Sequence, residues 1–323
     1  MSAATPLLEL DRLGKRFPVR RGPWAADGVV HAVRDVSLSL APGETLGVVG
    51  ESGCGKSTLA RMAVRLIEPS EGAIKLAGRD ITALPQSELI PLRRTMQMVF
   101  QDPYSSLNPR MRAGDIVGEP LLVHGVASGR ELDERVRALF AQVGLRDDQT
   151  RNFPSQFSGG QRQRLAIARA LALDPALIVA DEPVSALDVS IQAQVVNLLV
   201  DLQARRGLSY LFIAHDLGIV RHVSDRVAVM YLGAVVETGP ARALFAAPAH
   251  PYTRLLLEAI PRPVPRRTAG PRARAAGEIP SPLDPPPGCA FHPRCPLATA
   301  ICREERPALR PLGSGVEAAC HHA

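Results

Sequence analysis

Gly50-Glu51-Ser52-Gly53-Cys54-Gly55-Lys56-Ser57-Thr58 decides how this chain of 323 residues is read. The stretch fits the pattern G-x-x-x-x-G-K-[ST], in which consecutive backbone N–H groups wrap phosphates, the lysine reaches the β/γ oxygens and the hydroxyl ligates Mg²⁺. Glycines at 50, 53 and 55 let such a loop turn tightly without Cβ clashes. Before it, Leu46-Gly47-Val48-Val49 is a short apolar run; after it, Leu59 to Leu66 carries apolar residues at helical spacing. The loop therefore joins a strand to a helix N-terminus, whose dipole faces the anion. A glycine-rich turn with an exposed lysine would share the pattern, but not this flanking context. The chain has three lysines (Lys15, Lys56 and Lys75) against 35 arginines. A lysine kept inside the loop suits a compact point charge that a planar guanidinium would not replace.

Leu177-Ile178-Val179-Ala180-Asp181-Glu182 is the second informative stretch. Four apolar residues predict a buried parallel strand, and the acidic pair emerges at its C-terminal end, where ligands of open α/β sheets bind. Asp181 is placed to hold Mg²⁺ through water, and Glu182 to orient or deprotonate an attacking water. A lone Asp-Glu after a strand would otherwise be read as a helix cap.

Phe157-Ser158-Gly159-Gly160-Gln161-Arg162-Gln163-Arg164 adds a third motif, and with it residues 6 to 250 resemble the ATP-binding cassette (ABC) family. Phe157 stands where that family more often has Leu, a change between apolar packing residues. The resemblance implies an α/β P-loop NTPase fold with a RecA-like core, an antiparallel β-subdomain and an inserted helical subdomain at about 103–170. It implies that Ser158, Gly159, Gly160 and Gln161, at the start of a helix continuing through Arg169, contact the γ-phosphate of ATP on an opposite subunit. A helix start rich in Gly and Ser suits that anion. Gln101, in Met98-Val99-Phe100-Gln101-Asp102-Pro103, resembles the glutamine that bridges Mg²⁺ and the attacking water. Ser185-Ala186-Leu187-Asp188 is similar to the loop that crosses the dimer interface. His215, after Tyr210-Leu211-Phe212-Ile213-Ala214, resembles the switch histidine on the γ-phosphate. Phe17 is the candidate for stacking on adenine. One P-loop and one signature per chain imply a dimer, with itself or with a paralogue.

Composition narrows the class further. No apolar stretch reaches the ~18 residues of a spanning helix, and the N-terminus lacks the charged-then-apolar pattern of a signal peptide. The expectation is a peripheral protein on the cytoplasmic face of the inner membrane, attached through partners. Net charge is +6 with pI about 9.4, and Arg254, Arg262, Arg266, Arg267, Arg272 and Arg274 fall in one proline-rich stretch. That run reads as a solvated linker face, and 4% aromatics offer little for base stacking, so no nucleic-acid partner is expected. ABC ATPases acting on DNA or ribosomes, the alternative class, usually carry two cassettes or long insertions.

Along the chain, residues 6–100 read as strands plus the P-loop helix, with Gly28 to Leu40 alternating. Residues 103–170 read as helical, with Glu131 to Val143 the clearest amphipathic segment, and 171–246 return to βα alternation. Residues 6–250 form the expected nucleotide-binding domain. The segment 251–323, with prolines at 261, 263, 265, 271, 280, 282, 285, 286 and 287, reads as an extended appendage rather than a second core. Its motifs His250-Pro251-Tyr252-Thr253-Arg254, Gly277-Glu278-Ile279-Pro280-Ser281-Pro282 and Cys289-Ala290-Phe291-His292-Pro293-Arg294-Cys295-Pro296 resemble the tail of oligopeptide and dipeptide importer ATPases. The insertion Pro18 to Val30 and the wording of Gly50 to Arg61 look most like the second ATPase of those systems. This implies two membrane permeases, a paralogous ATPase and an extracytoplasmic peptide-binding protein. Nickel and other small-solute importers share the tail.

Four of five cysteines, Cys289, Cys295, Cys302 and Cys320, crowd into the last 35 residues as C-x₅-C-x₆-C-x₁₇-C. In a cytoplasmic protein this suggests metal more than disulfides. Four thiolates suit a [4Fe–4S] cluster, which the resemblance also implies for this tail. Zinc with His292, His321 or His322, or free thiols, are the alternatives.

Overall fold

The computed structural model describes residues 5–19, 28–259, 278 and 280–323. The arginines at 262, 266, 267, 272 and 274, the prolines from 261 to 271 and most of the Pro18–Val30 insertion lie outside the described residues.

Chain order begins β1 (Leu8–Val19), β2 (Gly28–Leu40), β3 (Thr45–Val49), α1 (Lys56–Ala63), β4 (Glu71–Leu76), β5 (Arg79–Asp80), α2 (Gln86–Leu92) and β6 (Met96–Val99). The helical section is α3 (Pro103–Ser106), α4 (Ala113–Val123), α5 (Gly129–Gln142) and α6 (Gly159–Leu171). Then come β7 (Leu177–Asp181), α7 (Val189–Arg206), β8 (Ser209–Ala214), α8 (Leu217–Val223), β9 (Arg226–Tyr231), β10 (Ala234–Pro240), α9 (Ala241–Ala246) and α10 (Pro251–Glu258). The tail adds α11 (Ala300–Glu304), β11 (Arg310–Gly313) and β12 (Val316–Ala318).

An antiparallel sheet, β2-β1-β4-β5, packs beside a larger sheet of order β11-β12-β10-β9-β3-β8-β7-β6, whose members from β9 to β6 pair in parallel. Leu177 and Val179 of β7 pack in the layer holding α1 and the smaller sheet, while Ile178 and Ala180 face the layer holding α6 and α7. Both faces are covered, so the strand is apolar throughout instead of alternating. The expected amphipathic segment is α5: Val136, Leu139 and Phe140 are buried, and Arg130–Glu134 and Arg135–Glu131 pair one turn apart on its outer side.

The tail departs from the expected appendage. β12 pairs with β10 and β11 with β12, so the last hairpin continues the central sheet. Phe291 is buried against Tyr231 and Tyr252, with ring centroids 5.3 and 5.4 Å away, and the two tyrosine rings lie 4.7 Å apart. Proline content reports the lack of long ladders within a segment; it is silent about aromatic anchors that dock on a core formed elsewhere.

His250 caps α10. Its Nδ1 accepts the Tyr252 N–H at 3.0 Å, and the backbone N–H groups of Ala249 and His250 donate to the buried Glu237 carboxylate. Burial, with Arg254 adding to it, pushes the imidazole down to about 4. The unfolded chain takes up this proton as pH falls through its ordinary value of about 6.5, and the folded one only near 4. The unfolded state therefore binds more protons in that window, and stability drops as pH falls across it, by up to about 3 kcal/mol. Urea midpoints at pH 7.5 and 5 should fall less for His250→Asn, which keeps a cap acceptor, than for wild type; equal falls would remove His250 as the cause.

Candidate active site

β3 delivers the chain into the loop Gly50–Gly55, and α1 begins at Lys56. At Gly55, φ is +105°, and a Cβ would collide with the Ala32 carbonyl oxygen of β2; at Gly50 a Cβ would collide with the Met230 carbonyl oxygen of β9. The loop is thus pressed onto two neighbouring strands, and glycine is required by space as well as by dihedral. The Lys56 ammonium, buried, donates to the carbonyls of Gly50 (2.8 Å) and Glu51 (3.0 Å). Its third hydrogen has the weak Cys54 Sγ acceptor at 3.9 Å, a contact an oxyanion would displace. Burial pushes the Cys54 thiol up, which keeps it protonated.

Ser57 Oγ donates to Asp181 Oδ1 at 2.9 Å. Burial pushes the Asp181 carboxyl up, and the Ser57 hydrogen bond opposes this. A hydroxyl and a carboxylate converging beside a phosphate loop form an oxygen set that fits a small hard cation such as Mg²⁺. Glu182 follows with φ +46°, a left-handed conformation uncommon for a side-chain-bearing residue, held by its N–H bond to the Ile213 carbonyl at 2.9 Å. Its Oε2 accepts from Gln101 Nε2 at 2.9 Å and lies 3.4 Å from His215 Nδ1. Residues just beyond the C-terminal ends of β6, β7 and β8 thus converge around one carboxylate oxygen.

These groups line a continuous groove. A 210 Å³ cleft is bounded by Val30, His31, Ser52, Lys56, Ser57 and Glu182, with Gly53, Gly55, Thr58 and Gln101 also in its walls; it opens into a shallower region at Gln101, Glu182, Ser185 and His215. Phe17 lies outside the cleft lining; its cross-strand partner Val30 is in it, and the Lys15 ammonium sits 5.2 Å over the Phe17 ring. Ser158, Gly159, Gly160 and Gln161 also lie outside the lining of that cleft. Ser158 caps α6 in a reciprocal box with Gln161, and a Cβ at Gly160 would strike Ile191 of α7. Asp188 is exposed at the start of α7. A 400 Å³ cavity between β2, β10 and the tail shares Leu232 with the cleft and none of its polar groups.

Sequence reasoning missed the tail's reach into the site. Pro282 lines the phosphate cleft. Glu51 N–H donates to Tyr252 Oη at 2.8 Å, and Arg294 donates to both Glu51 carboxylate oxygens at 2.8 and 2.9 Å. The motifs holding Tyr252 and Arg294 stand out in the sequence, but no spacing rule links residues 243 positions apart.

In the tail, Cys302 and Cys320 are buried and Cys289 and Cys295 half-buried, all as free thiols. Cys302 Sγ lies 3.5 Å from His322 Nε2, and His322 N–H donates to Cys320 Sγ. Burial pushes the Cys289 and Cys295 thiols up. Among the described residues no group of three or more His, Cys, Asp or Glu side chains is arranged to hold a metal ion, so the geometry lends the expected cluster no support.

Comparison with known proteins agrees with this architecture. Residues 33–185 match the ABC transporter family model, and residues 236–302 match the oligopeptide/dipeptide transporter C-terminal region. A di/tripeptide transport ATP-binding protein of Pseudomonas aeruginosa is 52% identical, covering 96% of both chains. An oligopeptide transport ATP-binding protein of Bacillus subtilis is 51% identical over 98% of this chain and 97% of its own. An ATP-binding cassette solved as a dimer in a post-hydrolysis state with ADP and Pi superposes with TM-score 0.66 at 30% identity, over 73% of this chain and 99% of that one. The chain belongs to the ABC transporter ATP-binding family, as an ATPase of the branch that carries the oligopeptide/dipeptide C-terminal region.

Proposed function

We propose that this ATPase drives uptake of dipeptides or oligopeptides through a membrane complex, with residues 6–250 as the cassette and 251–323 as the extension. The observation that carries the reading is the meeting of Gln101, Glu182 and His215 beside the Lys56 and Ser57 cleft, in a chain about half identical to peptide-transport ATPases over nearly its full length.

ATP binds with its phosphates in the amides of Gly50 to Thr58, while Lys56 gives its third hydrogen to a phosphate oxygen. Ser57 and Asp181, with Gln101, are the residues that would hold Mg²⁺, which would supply neutralisation of phosphate charge. Glu182 accepts a proton from water aligned on the γ-phosphorus, and Gln101 and His215 fix the carboxylate oxygen that does so. Phe17 supports the adenine. Ser158, Gly159, Gly160 and Gln161 serve a second chain's nucleotide, and Asp188 lies at the same junction; their position outside this chain's own cleft lining agrees with that division. The second chain is a paralogue or another copy. Two permeases and an extracytoplasmic peptide-binding protein complete the assembly, with this chain at the cytoplasmic face of the inner membrane; among the described residues no helix is long and apolar enough to cross a membrane.

Affinity purification of the tagged chain from native membranes in detergent tests the reading. Recovery of two permeases, a second ATPase and a peptide-binding protein supports it; ribosomal or DNA-repair partners overturn it. The [4Fe–4S] reading of Cys289, Cys295, Cys302 and Cys320 rests on the four-thiol set and the family resemblance, and iron and sulfide analysis after anaerobic purification decides it. Absence of both elements removes the cluster.

A further inference from the structure

Glu51 is the single acidic residue between Gly50 and Thr58, a loop whose task is to hold a polyanion. Each of its polar groups is engaged. The carbonyl accepts from Lys56, the N–H donates to Tyr252 and the carboxylate takes both prongs of Arg294. Arg294 is itself buried, in a turn (His292–Arg294) whose position is fixed by Phe291, with the guanidinium 5.8 Å from that ring's centre and 5.9 Å from that of Tyr231. Two parallel N–H···O bonds on a planar fork constrain orientation as well as charge. Tyr252 and Arg294, two of the residues that hold Glu51, therefore come from the C-terminal extension, and Pro282 of the same extension lines the cleft.

We propose that Arg294 is a positioning residue of the nucleotide site: it orients Glu51 and cancels the one negative charge of the phosphate loop, so that the extension sets the affinity for nucleotide. The inference rests on the reading of the cleft as the MgATP site. Removing Arg294 leaves an uncompensated, half-buried carboxylate in the loop, repelling the triphosphate. Removing both charges leaves none.

The experiment is calorimetric titration of the purified full-length chain with the magnesium complex of the non-hydrolysable analogue AMP-PNP, alongside thermal unfolding of each variant. Arg294→Gln should raise Kd about tenfold, and Glu51→Gln should lower it about threefold, through charge alone. The double variant should return to within about threefold of wild type. Arg294→Lys, which keeps charge and loses the fork, should fall between wild type and Arg294→Gln. A merely structural clamp predicts the opposite for Glu51→Gln, weaker binding, and no rescue in the double variant. Either result overturns the proposal, as does an Arg294→Gln Kd within twofold of wild type. Failure of wild type itself to bind would instead bring down the nucleotide reading of the cleft, and this inference with it.

Discussion

Glu182→Gln should cut ATP turnover by about a thousandfold while the protein still binds MgATP. Glutamine has the shape of glutamate, and its carbonyl oxygen can accept from Gln101 as the carboxylate does now, with His215 Nδ1 still nearby. The left-handed backbone at Glu182 and its bond to Ile213 are unaffected by a side-chain swap. On the proposed reading, what disappears is the basic lone pair that would take a proton from water. Binding should persist because the proposed phosphate contacts come from the loop, Lys56 and Ser57, and loss of a negative charge beside a polyanion cannot weaken its attraction. Steady-state phosphate release together with nucleotide titration checks both halves. Wild-type turnover would remove Glu182 from the reaction.

Lys56→Ala should raise Kd for MgATP roughly a hundredfold, the loss of a charge-assisted contact to phosphate in a buried setting. The same ammonium ties Gly50 to Glu51 by their carbonyls, so the substitution also unpins the loop that supplies the amides. Lys56→Arg separates the two effects. A guanidinium keeps the charge but has a planar, wider head for a site shaped around a tetrahedral ammonium, and binding should remain impaired. Titration of both variants, with circular dichroism to show an intact fold, is the check. Binding within threefold of wild type in Lys56→Ala would exclude the loop as the phosphate site.

Much of this site was legible because its parts are local. A strand, a glycine-rich turn and a helix start occur within twenty residues around Lys56, and an apolar run ending in Asp181-Glu182 places the acidic pair at a strand end. Gln101 and His215 were found through the family resemblance, and their joint hold on Glu182 is a product of the parallel order β6, β7, β8, which aligns three strand ends. The left-handed turn at Glu182 has no sequence sign, since Asn or Gly would mark one and glutamate does not. Where the tail docks was not legible, for a similar reason. Proline density was visible; the docking of Phe291, the pairing of β12 with β10 and the bond from Arg294 to Glu51 all depend on partners far away in the chain.

The last hairpin has a consequence for solubility. Without β11 and β12, the outer side of β10 would present bare N–H and C=O groups beside Val235 and Val236, a template onto which a second copy could add its own strand. β12 occupies that template, and β11, exposed along its length and carrying Pro311 and Gly313, ends the ladder with residues that propagate it poorly. The tail thus acts as a sheet terminator, and a chain cut before it would trade a closed edge for one prone to edge-to-edge aggregation.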